Sequence, residues 1–243
     1  ADISAGGYVS VVTDAKGGYK NEVKVFNLQG KEFFTRSIAE SFVLMSGISP
    51  SGDSVLINSI DASGVKTNTL LQFTDIFGKH LSSIVKPDEV FPSVWYMENG
   101  DFISASSDFL SYFNKELEEE WSKDFSARGI LSSNACLGRY GVVAVDGKDR
   151  QGLFGRTSTE VKVFDKDGKE VSSYSIDDKV QSIGTFSNII SANTGREVYF
   201  ISVKGDLVGK YTSKSDILDV YFFNKLKAAV VTKESVVVIR VAL

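Results

Sequence analysis

Glu22-Val23-Lys24-Val25-Phe26 returns almost letter for letter as Glu160-Val161-Lys162-Val163-Phe164. Each copy runs into a glycine followed by Lys-Glu, through Asn27-Leu28-Gln29-Gly30-Lys31-Glu32 and through Asp165-Lys166-Asp167-Gly168-Lys169-Glu170. A third copy, Glu197-Val198-Tyr199-Phe200-Ile201, reaches Gly205 at the same spacing. β-branched and aromatic residues alternating with polar ones make strands, and glycine makes the turn between them. One hairpin used several times decides the architecture, so the repeat is read first.

Laid under one another, the copies have weaker relatives. Leu70 to Phe73 leads to Gly78 and Leu81 to Val85; Leu110 to Phe113 leads to Leu117, in the glycine's place, and Glu118 to Phe125; Val236 to Ile239 is a last copy. Positions 30, 78, 117, 168 and 205 are spaced by 48, 39, 51 and 37 residues. The mean is about 44, inside the roughly 40–50 residues of a propeller blade. Before each hairpin come two more strand-like runs joined by a tight turn, such as Phe42 to Ile48 and Ser54 to Ile60 through Ser49-Pro50-Ser51-Gly52-Asp53. Four antiparallel strands per repeat, six repeats and no helical crossover predict an all-β fold. That fold is a single β-propeller domain over residues 1–243, with blades near 1–39, 40–88, 89–127, 128–178, 179–214 and 215–243. Ile3-Ser4-Ala5-Gly6-Gly7-Tyr8 aligns with Ile48-Ser49-Pro50-Ser51-Gly52-Asp53, so the first blade is expected to start within its inner strand. The last blade is expected to lack its outer strand and to expose an edge.

The 243 residues carry 42% hydrophobic side chains, enough for a continuous core. A net charge of −4 argues against nucleic acid, whose phosphates need a basic face. The single cysteine, Cys136, excludes an intramolecular disulfide and a cysteine zinc site; on an inner strand it is expected to be buried and inert. No apolar run approaches the roughly 20 residues of a membrane helix. The chain begins Ala1-Asp2-Ile3 without a Met. The expectation is therefore an extracytoplasmic protein, with a membrane tether upstream of Ala1 left open and none within the chain.

Ile48-Ser49-Pro50-Ser51-Gly52-Asp53-Ser54-Val55-Leu56-Ile57 resembles the inner hairpin of bacterial WD40-like and TolB-like propellers. Glu-Val-Lys-Val-Phe-Asp-Lys-Asp-Gly-Lys-Glu resembles the outer hairpin of PQQ-like repeats, with Trp121 at the place of their Trp. The resemblance implies a propeller blade, and beyond it the binding and assembly scaffolds of uncharacterised extracytoplasmic bacterial propellers. The docking pattern of quinone dehydrogenases is missing, so neither a quinone nor any other cofactor is expected.

His80, the only histidine, stands beside an outer turn, away from an axial channel, and is read as a solvated structural residue. The loops joining second and third strands are more informative. Three are short, and three are long: Asp14 through Lys20, Asp61 through Asn68, and Asp146 through Thr159. Each long loop opens on an Asp and soon reaches glycine. Asp14, Asp61 and Asp146 serve either as turn formers, bonding their own backbone, or as parts of a binding rim. On that rim Tyr19, Lys148, Arg150, Phe154 and Arg156 are the candidate contacts, since Arg and aromatic side chains dominate interface energy. Calcium is disfavoured because no Asp-x-Asp-x-Asp run gathers enough oxygens, and no metal site is assigned.

The acidic run Glu116 to Glu120 reads as a solvated edge strand. Trp95-Tyr96 and Tyr221-Phe222-Phe223 read as packing between blades. The leading functional expectation is a non-catalytic binding module for a protein or other macromolecule. The alternatives are a carboxylate-dependent hydrolase or lyase and a small-ligand sensor for a glycan or peptide.

Overall fold

The computed structural model describes residues 2–4, 6–147 and 158–241. Among these described residues, twenty-three strands form six antiparallel sheets, each built in chain order. The first holds β1 (Asp2–Ile3), β2 (Tyr8–Asp14), β3 (Asn21–Asn27) and β4 (Glu32–Ile38), and the second β5 (Phe42–Ile48), β6 (Ser54–Asp61), β7 (Asn68–Asp75) and β8 (His80–Pro87). The third holds β9 (Ser93–Tyr96), β10 (Phe102–Ala105), β11 (Phe109–Phe113) and β12 (Glu119–Asp124). In the fourth are β13 (Ile130–Cys136), β14 (Tyr140–Asp146), β15 (Thr159–Phe164) and β16 (Glu170–Ile176); in the fifth β17 (Ser182–Phe186), β18 (Ile189–Asn193), β19 (Glu197–Ser202) and β20 (Leu207–Thr212). The sixth has three strands, β21 (Ile217–Asn224), β22 (Lys227–Thr232) and β23 (Val236–Arg240). Its outer strand exposes Val236 and Val238, the open edge expected there.

The chain divides into two compact units, one of residues 1–106 and 111–120, the other of residues 107–110 and 121–243. In each, the core lies between successive sheets. Val23, Val25, Val55 and Ile57 fill one such layer in the first unit, and Leu56, Phe73, Phe102 and Phe113 the next. In the second unit Val142, Val161, Val163 and Ile190 do the same. The second strands β10, β14 and β18 are packed on both faces and bury nearly every residue. Fourth strands alternate exposed and half-buried residues because only one face meets a neighbour.

The repeated glycine is a conformational requirement. Gly30, Gly78, Gly168 and Gly205 all have φ between 74° and 90°, and Leu117 takes the same turn at 71°. The turn is opened by a side chain three residues earlier. Asn27, Asp75 and Asp165 each accept two backbone N–H groups on one oxygen at 2.8–3.0 Å. A β-bulge follows in each of these hairpins, as a type I turn closed by a left-handed residue requires.

The small polar inner strands stitch neighbouring sheets. In the second unit Ser132 Oγ accepts from Ile183 N at 3.0 Å, and Asn134 Nδ2 donates to Ile183 O at 3.1 Å. In the first, the Ser46 hydroxyl donates to Ser10 Oγ at 3.0 Å. Cys136 is fully buried, its Sγ donates to Ser187 O at 2.9 Å, and burial pushes the thiol up to about 12. The Tyr221-Phe222-Phe223 expectation is corrected in part. Phe222 packs against Phe186 and Phe200, but its neighbours are more than half exposed. Strand alternation turns residues on either side of Phe222 outward, so one of the three can be core.

Candidate functional site

Within each sheet, antiparallel order places the loop after the second strand and the links to neighbouring sheets on one edge. The turns within the first and last hairpins lie on the opposite edge. The described loops of the first edge are tied to the adjoining links. In the first unit Lys20 Nζ donates to Glu40 O at 2.9 Å and stands 4.3 Å from the centre of the Phe42 ring. Lys66 pairs with Asp88. In the second unit Asp216 is held by Lys233 at 2.6 Å and by Arg196 at 2.8 Å. Lys233 and, beside it, Arg196 hold the Asp216 carboxyl below the usual carboxylate range. Such exposed pairs are screened by solvent and act mainly by fixing geometry.

Stronger pins lie beneath. Thr69 and Thr159, fully buried at the starts of β7 and β15, each bond the following link twice. Thr69 Oγ1 donates to Glu89 O at 2.7 Å and accepts from Phe91 N at 3.2 Å; Thr159 Oγ1 donates to Asp178 O at 2.8 Å and accepts from Val180 N at 3.1 Å. These fixed loops carry exposed apolar residues. Tyr19 is 49% exposed, Phe42 50%, and Val65 stands fully in solvent.

Of the residues the sequence placed on this rim, Asp14 ends β2 and is exposed, and Tyr19 is exposed in the loop beyond it. Asp61 is a turn former: its Oδ1 accepts from Ser63 N at 2.9 Å, and the Ser63 hydroxyl and N–H hold its carboxyl below the usual range. Asp146 is buried at the foot of its loop, its carbonyl accepting from Arg128 Nε. Lys148, Arg150, Phe154 and Arg156 lie outside the described residues. Arg128 escaped the sequence reading. It also reaches Glu160 Oε2 at 2.7 Å and so clamps β15 to the foot of the loop.

The opposite edge of the first unit holds a cavity of about 670 Å³ between the second and third sheets. Its origin is legible in a spacing of four. The residue four places after a turn position in one sheet covers the turn of the next: Phe34 lies over Gly78 and Trp121 over Gly168, each ring 3.1 Å from where a Cβ would stand. Trp121 Nε1 also donates to Lys166 O at 2.8 Å. In the second sheet that covering residue is Ser82, and the turn it faces carries Leu117. A small residue alone does not leave space, because Ser172 closes to 3.1 Å on the corresponding position at Gly205. At Leu117 a side chain occupies that approach, so Ser82 and Leu117 both line the cavity. Holding Leu117 in the left-handed region costs on the order of 1–2 kcal/mol, a strain met where the cavity opens.

The cavity floor is aromatic. Phe73 sits edge-on to Tyr96 at 6.3 Å and against Phe102 at 5.2 Å, and Phe102 stacks on Phe113 at 4.8 Å. Its polar side is the Ser49–Asp53 turn. Asp53 Oδ1 accepts the hydroxyls of Ser49 and Ser51 at 2.7 Å each, and these two hydrogen bonds hold its carboxyl below the usual range. The Tyr96 hydroxyl meets Ser54 Oγ at 3.1 Å, and burial pushes the phenol far above its ordinary value. Among the described residues no group of three or more His, Cys, Asp or Glu is placed to hold a metal ion.

Six such sheets, one of them three-stranded, define a β-propeller of six blades. The fold aligns with the β-propeller domain of Myceliophteria thermophila Cps50 (Swd1), with a TM-score of 0.65 and 13% identity over 100% of this chain and 82% of that one. It also aligns with KlHsv2 carrying loop 6CD replaced by a Gly-Ser linker, with a TM-score of 0.66 and 11% identity over 97% of this chain and 74% of that one. The chain belongs to the Family of unknown function (DUF5711), whose model matches residues 1–241. No curated protein matches it.

Proposed function

We propose that this propeller is a non-catalytic binding module that engages a protein partner through the loop edge. The observation that carries the reading is the exposure of Tyr19, Phe42 and Val65 on loops and strand starts, with Tyr19 and Phe42 beside Lys20, which is anchored to the Glu40 link. Apolar side chains on preorganised backbone lose little entropy on binding, which is where interface affinity comes from. The carboxylates fit a hydrolase poorly. Asp53, Asp61, Asp124, Glu160, Glu197 and Asp216 are all held below the usual carboxylate range by hydroxyl, amide or cationic neighbours. A general acid needs the opposite shift. A photo-crosslinking residue at Tyr19 or Val65 should capture the same partner, identified by mass spectrometry, while one at Leu207 on the outer strand of the fifth blade should not. Equal capture from Leu207 contradicts the reading.

A further inference from the structure

We propose that the cavity between the second and third blades is a second binding site, one that takes a lysine or arginine side chain of a peptide. It lies on the edge opposite the loops, and it stands or falls independently of the rim.

The first argument is form. A volume of about 670 Å³ falls within the range of ligand pockets, and its floor of Phe73, Phe102 and Leu117 is apolar. The aromatic rings are locked against one another and against Phe113, so the floor exists before anything binds. The second is charge. Asp53 and Asp75 line the cavity, and Lys115, the one lysine or arginine lining it, has a 68% exposed side chain whose Nζ lies 3.8 Å from Glu116. Among the described residues, no lysine or arginine pairs with Asp53 or Asp75. Asp75 spends one oxygen on its own turn, and Asp53 spends one on the Ser49 and Ser51 hydroxyls. Asp53 and Asp75 are thereby oriented without being neutralised.

An acidic rim over an aromatic floor selects a particular chemistry. An anion is repelled. A wholly apolar ligand would strip water from the carboxylates and return nothing to them. A divalent ion needs more oxygens than converge here. Lysine and arginine side chains carry an apolar stem ending in a charged donor head, which matches floor and rim together. The Tyr96 hydroxyl, already bonded to Ser54, offers an acceptor partway down the wall.

Titration of the purified protein with N-acetyl-arginine amide, N-acetyl-lysine amide, N-acetyl-norleucine amide and choline, followed by NMR amide shifts, tests this. The two basic amides should shift residues of the Ser49–Asp53 turn and Leu117, weakening as salt rises; norleucine amide and choline should not. Asp53→Asn should weaken binding about tenfold, equivalent to about 1.4 kcal/mol, with the melting temperature retained. Ser82→Trp, which gives the second blade the covering residue of the third, should abolish binding while the remaining amide spectrum is preserved. Absence of binding by either basic amide, equal binding by norleucine amide, binding by choline alone, or unchanged binding in Asp53→Asn would each overturn the proposal.

Discussion

Gly30 and Gly168 hold the same turn conformation in different surroundings. A Cβ on Gly30 meets nothing within 4 Å, whereas one on Gly168 meets the Trp121 ring at 3.1 Å. Gly30→Ala should therefore cost only the left-handed backbone term, roughly 1–2 kcal/mol, and Gly168→Ala measurably more, read as the difference in urea midpoints. Leu117 establishes that the backbone term alone is survivable. Cys136 offers a second residue-scale check. A buried thiol raised to about 12 should stay unmodified by a thiol reagent at pH 8 while the protein is folded, and react fully in denaturant. At this scale the sequence was partly legible. The turn glycines and Leu117 stood out because the repeat aligned them, and Trp121 four places after Leu117 was noticed, but the covering role of that position was not. Its role lies between blades, where a single repeat holds no signal.

Within one element, a buried side chain decides more than an exposed one. Thr159→Val keeps volume but strands Asp178 O and Val180 N, and should cost about 1–3 kcal/mol. Thr35→Val, whose exposed hydroxyl only donates to Glu32 Oε1, should stay within about 0.5 kcal/mol by the same denaturation measurement. The Arg128–Glu160 clamp adds a pH signature. Arg128 chiefly, with Lys162, lowers the folded pKa of Glu160 below its unfolded value near 4.5. Its contribution is complete above about that pH and is lost as pH falls through the lower folded value. Melting temperatures of Glu160→Gln and the parent should thus differ at pH 7 and converge toward pH 3. Strand order and bounds were legible here because period-two patterning and turn residues repeat. Exposure of Tyr221 and Phe223 was not, since an aromatic cluster reads as core until the strand's facing is known. Glu116 to Glu120 did behave as a solvated edge, with Glu119 meeting Lys86 at 2.5 Å and Asn114 bonding Glu118 and Glu120.

Across the whole molecule, the repeat determines the scaffold and the departures from it mark the candidate sites. Six cassettes and a three-stranded last blade follow from glycine spacing, because every blade must solve the same packing problem with the same hairpin. The proposed binding surfaces break the pattern, as long loops after second strands and as Ser82 with Leu117 between the second and third blades. The loops were found by length. The cavity was not: Leu117 stood out as a break in the glycine pattern, but Ser82 did not, and the two face each other only after folding. The most direct test of the binding account replaces loops 15–20 and 62–67 with the short Ser106-Ser107-Asp108 link of the third blade. Melting temperature and capture of the partner crosslinked from Tyr19 in the parent protein are then measured together. The account predicts a melting temperature close to the parent and lost capture; capture at the parental level by the shortened protein would contradict it.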